Sequence, residues 1–185
     1  MNPWRRVEED QAVLMVIDFQ EGLIKAMDQH VGKNAIRNVQ ILLSFAKEMT
    51  IPVISTEQYP RGLGATVVEI KEALITDPIE KFSFNCCSVD TFSERLDRSG
   101  RKQAILTGIE AHICVLQTCS GLVEKGYEVH VLADAVCSRR KLDWEVGLRW
   151  MEKKGAIIST TEIIAFQLLK EAGTEKFKRL SKLFK

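Results

Sequence analysis

The chain has 185 residues, 45% of them apolar, which suits one domain with a sizeable core and leaves little room for a second. Its 26 Lys and Arg residues nearly cancel its 25 Asp and Glu residues, for a net charge of +1, which argues against a nucleic-acid partner held by bulk electrostatics and favours a small or neutral substrate. No apolar run reaches the roughly 18 residues of a membrane span, and the opening MNPWRRVEEDQ lacks the apolar stretch of a secretory signal.

The first apolar run covers Ala12–Ile17. It is rich in Val and Ile and does not alternate, which is how a strand covered on both faces of a parallel sheet reads. Ile36, Val39, Leu42, Leu43 and Ala46 then recur at helical spacing. A second strand is expected over 51–55. The stretch 58–84 is the least regular, holding two of the four prolines together with Gly62 and Gly64; it predicts a long loop with a short third strand near Lys81. Further strands are expected over 104–109, 129–133 and 156–158, with a helix carrying Val115, Leu122 and Val123 after the first of these. Ser159 followed by Glu162 has the form of a capping box and predicts a helix starting at Thr160. Gly173 and Thr174 separate that helix from a last one, about 174–184, carrying Phe177, Leu180, Leu183 and Phe184. Its five basic residues from Lys176 to Lys185 fit a membrane-surface helix, but packing on the domain or on a partner subunit is the better reading. Strand–helix alternation of this kind predicts right-handed βαβ units in a three-layer, doubly wound, Rossmann-like α/β fold. The sheet should be mainly parallel with about six strands, in one domain over 1–185.

In such sheets ligands bind beyond the carboxyl ends of the strands, near the point where strand order reverses. Asp18 closes the run AVLMVID, and Cys114 lies on the first turn of the helix that follows the strand ending at Ile109. Both therefore fall on the same sheet edge. Backbone N–H groups at a helix start favour a thiolate and can bind an oxyanion. A neighbouring carboxylate could take the thiol proton, and an ammonium would steady the charges. Each residue also has an ordinary reading: a strand-end Asp as a cap, the Lys of EKF as a solvated side chain, a Cys in an apolar segment as core. The five cysteines, odd in number and irregularly spaced, suggest reduced thiols and a cytoplasmic location.

Several segments together resemble the isochorismatase-like hydrolases over roughly residues 10–170. VLMVIDFQEGL is similar to their first-strand motif, TGIEAHICVLQT to their nucleophile motif, and IEKFSFNC supplies a Lys between them. LADAVCSRR and GAIISTTE resemble the closing part of that fold. The resemblance implies a catalytic set of Asp18 as general base, Lys81 as charge stabiliser and Cys114 as nucleophile. It also implies a cis peptide at Ile109–Glu110, aiming the N–H groups of Glu110 and Cys114 at an oxyanion, a covalent thioester intermediate, and a homo-oligomer.

Nicotinamidases of that superfamily hold a metal through an Asp and two His after the second strand. Here that region reads TEQYPRGLG, and the only histidines are His30, His112 and His130. No metal and no other cofactor is expected, nor nicotinamidase activity. Isochorismatases of siderophore pathways typically lack the Cys, so their vinyl-ether cleavage is not expected either. TEQYPRGLG and GIEA are closest to the isochorismatase domain-containing proteins. Gln58, Tyr59, Phe19 and Phe82 are candidate pocket residues, Phe19 and Phe82 equally candidates for core packing, and Arg61 equally a solvated residue. His112 precedes Cys114 by two residues and would project about 200° away on a helix, so a Cys–His dyad is disfavoured. The expected activity is metal-independent hydrolysis of an amide, imide or related C–N bond in a small molecule. The alternatives are a thiol sensor using Cys114 with Cys119, and a non-catalytic scaffold.

Overall fold

Strand β1 (Ala12–Ile17) is buried along its whole length, because layers of helices cover both of its faces. Ala12, Leu14 and Val16 face one layer; Val13, Met15 and Ile17 face the other. The computed structural model describes residues 6–185, so the first five residues of the domain expected over 1–185 lie outside the described residues. After β1 come α1 (Glu21–Lys25), α2 (Gln29–Glu48), β2 (Val53–Gln58), α3 (Pro60–Leu63), α4 (Val68–Lys71), β3 (Ile79–Lys81) and α5 (Asp90–Ser99). The second half runs β4 (Gln103–Ile109), a wide turn at Ala111–Val115, α6 (Leu116–Glu124), β5 (Glu128–Cys137), α7 (Lys141–Lys153), β6 (Ile157–Ser159), α8 (Thr161–Leu169) and α9 (Glu175–Leu180).

The six strands form one all-parallel sheet in the order β3-β2-β1-β4-β5-β6. The chain builds outward from β1 to β3, then returns to lay β4 on the other side of β1. Strand order therefore reverses between β1 and β4, and the crevice beyond their carboxyl ends is the expected ligand position. One core lies between the sheet and α2, α8 and α9, the other between the sheet and α5, α6 and α7.

Several boundaries differ from the sequence expectation. The irregular stretch after β2 holds α3 and α4, each only four residues long, too short to show helical periodicity. Strand β5 continues past Ala133 to Cys137, with a register break opposite Leu106 and Gly108. Asp134, just beyond the expected strand end, accepts the backbone N–H and hydroxyl of Thr161 at 2.8 and 3.0 Å and so anchors the start of α8. The cap of α8 is Thr160 rather than Ser159, since Ser159 is still in β6; the Thr160 hydroxyl accepts the N–H of Ile163.

The C-terminal segment packs on its own domain. Phe177 and Phe184 both meet Phe166, and Phe184 also meets Phe45 of α2. Three of its basic residues pair with carboxylates: Lys176 with Glu9, Lys178 with Glu175, and Arg179 with Glu48.

Candidate active site

Asp18 follows the last residue of β1 and takes a left-handed backbone, φ 54°, a conformation Asp tolerates better than most residues. Its carboxylate is fully buried and held from two sides. The Thr56 hydroxyl donates to Oδ1 at 2.7 Å, and the Lys81 ammonium donates to Oδ2 at 2.7 Å. Thr56 and Gln58 share one face of β2, since side chains alternate along a strand. Both point into the site: the Gln58 Oε1 accepts a second Lys81 N–H at 2.7 Å.

Cys114 arrives from the other side of the strand reversal. Beyond the cis Ile109–Glu110 bond, the chain makes a turn wider than an α-helix, in which the Val115 N–H donates to the Glu110 carbonyl at 3.3 Å. The Cys114 thiol is buried, and Asp18 and Lys81 both act on its charge. Two glycines permit this convergence. A Cβ on Gly108 (φ 151°) would lie 2.6 Å from the Ile17 Cβ and 2.8 Å from its carbonyl oxygen, so only glycine lets β4 close on the end of β1 there. A Cβ on Gly147 would stand 3.2 Å from the His112 backbone, so its absence lets α7 lie against the turn that carries Cys114. The buried Glu110 side chain accepts both the backbone N–H of Arg139 (3.1 Å) and its guanidinium Nε (3.0 Å), tying this turn to the end of β5.

The electrostatics set the resting protonation. Burial opposes the charge on Lys81, but Asp18, Cys86 and Cys114 together outweigh it and raise its pKa. Burial, and then the Asp18 carboxylate beside it, push the Cys114 thiol well above its ordinary value, despite the opposing pull of Lys81. Burial and the neighbouring carboxylate thus act against the thiolate that a helix start favours. A buried thiol with a raised pKa thus lies beside a buried lysine–aspartate ion pair.

The remaining candidates separate. Phe19 is a core side chain, 1% exposed, in the layer under α2, whereas Tyr59 and Phe82 are 47% and 77% exposed with ring centroids 5.7 Å apart. Arg61 is exposed. His112 does not pair with the sulfur: its Nδ1 is 2.9 Å from the Ser138 hydroxyl. His130 is buried in β5, its Nε2 2.9 Å from Glu128. Among the described residues no three His, Cys, Asp or Glu side chains are grouped to hold a metal ion.

Sequence reasoning missed two neighbours of the site. Thr56, which holds Asp18, could have been found from its place two residues before Gln58 at the end of a buried strand. Cys86 was read only for its redox compartment. It is fully buried, its sulfur is 4.0 Å from the Thr56 hydroxyl, and it acts electrostatically on Lys81 and Cys114. Cys86, not Cys119, is thus the thiol beside this cluster; Cys119 is packed in the core under α6.

A parallel sheet with a thiol, carboxylate and ammonium gathered at its strand reversal defines a class of hydrolase-like α/β proteins. The isochorismatase domain model matches residues 12–163, and the chain belongs to the isochorismatase family, as a hydrolase of that family. Isochorismatase domain-containing protein 2 of Danio rerio is 37% identical over 179 residues, covering 96% of this chain and 89% of that protein. The solved MAR1 ribonuclease of Caenorhabditis elegans superposes with a TM-score of 0.89 at 38% identity, over 97% of this chain and 92% of that one. The YcaC gene product of Escherichia coli, described as an octameric hydrolase of unknown specificity, shares the fold with a TM-score of 0.91 at 24% identity, over 100% of this chain and 91% of its own.

Proposed function

We propose that the protein is a metal-independent cysteine hydrolase that cleaves an amide, imide or related C–N bond of a small molecule through a covalent thioester. One observation carries the reading: the buried Asp18 carboxylate that acts on the charge of the Cys114 thiol is the one that Lys81 holds at 2.7 Å. Asp18 accepts the thiol proton as the sulfur attacks the carbonyl carbon. Negative charge gathers on the carbonyl oxygen, where the N–H groups of Glu110 and Cys114 are the proposed donors. As the C–N bond breaks, Asp18 returns the proton to the leaving nitrogen. Water then attacks the thioester, losing its proton to Asp18; the acid departs and the thiol is restored. Lys81 holds the Asp18 carboxylate in place throughout. No step requires a metal or an organic cofactor.

The exposed Tyr59 and Phe82 rings are the proposed apolar wall at the mouth, with Gln58 behind them. We place the protein in the cytoplasm as a single-domain homo-oligomer, in keeping with its five free thiols. The Caenorhabditis elegans neighbour is described as a ribonuclease. A net charge of +1 gives this chain little of the cationic surface on which polyanion binding depends, so RNA enters the test as a comparison substrate. A panel of small amides and imides, with RNA alongside, is to be assayed with wild type and Cys114→Ala. Turnover of a C–N substrate that vanishes in Cys114→Ala, with an acyl adduct on Cys114 by mass spectrometry, is expected. Turnover surviving in Cys114→Ala, or cleavage of RNA alone, would overturn the reading.

A further inference from the structure

Gln58 sits behind the reacting groups, and its amide is used at both ends. Nε2 donates to the Phe82 carbonyl at 2.8 Å while Oε1 accepts from Lys81 Nζ at 2.7 Å. A carbonyl can only accept and an ammonium can only donate, so the orientation of this amide is fixed by its partners. Gln58 is itself gripped. Its N–H donates to Gln20 Oε1 at 2.7 Å, and its carbonyl accepts from Gln20 Nε2 at 3.0 Å, so the Gln20 side chain pairs with this residue as a neighbouring strand would. The same Gln20 Nε2 also reaches the Gly64 carbonyl at 2.7 Å, fixing the loop that carries Tyr59. All three polar side chains are at least nine-tenths buried.

We infer that Gln58 is a positioning residue that aims the Lys81 ammonium, and that Gln20 holds Gln58 in place for it. The inference rests on the Asp18–Lys81–Cys114 reading above. A lysine has a long flexible stem and three rotatable donors, and one contact with Asp18 leaves the ammonium free to pivot. A second fixed acceptor removes that freedom and leaves the third N–H for the side where Cys114 and Cys86 act on its charge. An inert filler at the end of β2 needs no such chemistry, since an apolar side chain would fill the space without a buried amide to satisfy. Asparagine offers the same groups but is one methylene too short to span from Phe82 to Lys81.

The test needs no substrate. Alkylation of Cys114 in the full chain by iodoacetamide is followed by peptide mass spectrometry between about pH 7 and 10, with thermal midpoints recorded for every variant. Lys81→Met is the reference: losing the cation should move the onset of alkylation to higher pH and slow it at pH 8. Gln58→Met should move it the same way by a smaller amount, roughly tenfold in rate, the scale of one hydrogen bond to a charged group. Gln58→Asn should follow Gln58→Met, and it decides the matter if the Met variant does not fold. A purely structural role would lower the thermal midpoint and leave the pH profile of Cys114 where it was. Wild-type profiles in the folded Gln58 variants, with Lys81→Met shifted, would overturn the positioning role and leave the catalytic reading standing. An unshifted Lys81→Met would overturn both.

Discussion

The Nζ of Lys81 lies 2.7 Å from Oδ2 of Asp18, and neither side chain is exposed to solvent. Removing one member strands the other as an unpaired buried charge, whereas removing both does not. Lys81→Met should therefore cost about 3–5 kcal/mol of stability in urea unfolding, and the double variant Asp18→Asn, Lys81→Met should recover much of it. A double variant as unstable as the single one would show that the pair does not act as a unit.

Gly108 admits no side chain where β4 meets the end of β1, since a Cβ would come within 2.6 Å of Ile17. Gly108→Ala must push the strands apart, at about 1–3 kcal/mol for overpacking and more for the strained backbone. Because the same contact brings Asp18 towards Cys114, activity should fall by more than the loss of folded protein explains. Activity per folded molecule, normalised by near-UV circular dichroism, is the measurement; an unchanged value would detach the strand contact from the site.

Burial raises every buried thiol, to about 11 for Cys86 and about 12 for Cys119 and Cys137, against an ordinary 9.0. Asp18 adds to the rise at Cys86, and Cys87 and Glu110 add to it at Cys119 and Cys137, while Lys81 opposes it at Cys86. Raised values mean that the folded state keeps protons the unfolded state gives up. Their stabilisation is whole below pH 9 and is lost as pH climbs through the folded values, at up to ~1.4 kcal/mol per pH unit for each thiol. The urea midpoint should be clearly lower at pH 10 than at pH 8, and Cys137→Ala should flatten that slope. Equal midpoints at the two values would contradict the burial of these thiols.

The C-terminal helix α9 holds on through Phe177 against Phe166 and through the Phe184 contacts that follow it. Phe177→Ala should speed amide hydrogen exchange across α9 while leaving β1 and β4 protected, because the sheet core does not depend on this contact. Exchange mass spectrometry reads this directly. Uniform loss of protection would mean that α9 unfolds only with the whole domain.

The architecture was legible where burial wrote itself into the residues. β1 ends where AVLMVI ends, because every residue in it is covered on both sides. The expected β5 stopped at Ala133, just short of Asp134; that carboxylate accepts the Thr161 N–H at the start of α8, a long-range role that spacing does not encode. The catalytic candidates Asp18, Lys81 and Cys114 were named from strand ends and from a resemblance. Their partners Thr56 and Cys86 were not, because what singles them out is the approach of separate strands and loops. What acts on the Cys114 proton was legible only in part for a similar reason. A helix start favours the thiolate, but the burial and the facing carboxylate that outweigh it appear only once the chain is folded.

The raised pKa of that thiol has a bearing on how the sulfur ages. Peroxides and other soft oxidants attack thiolates and largely ignore thiols. In the proposed mechanism, a thiol held protonated by burial and by Asp18 is shielded from such damage between turnovers, and it turns reactive only as Asp18 takes its proton.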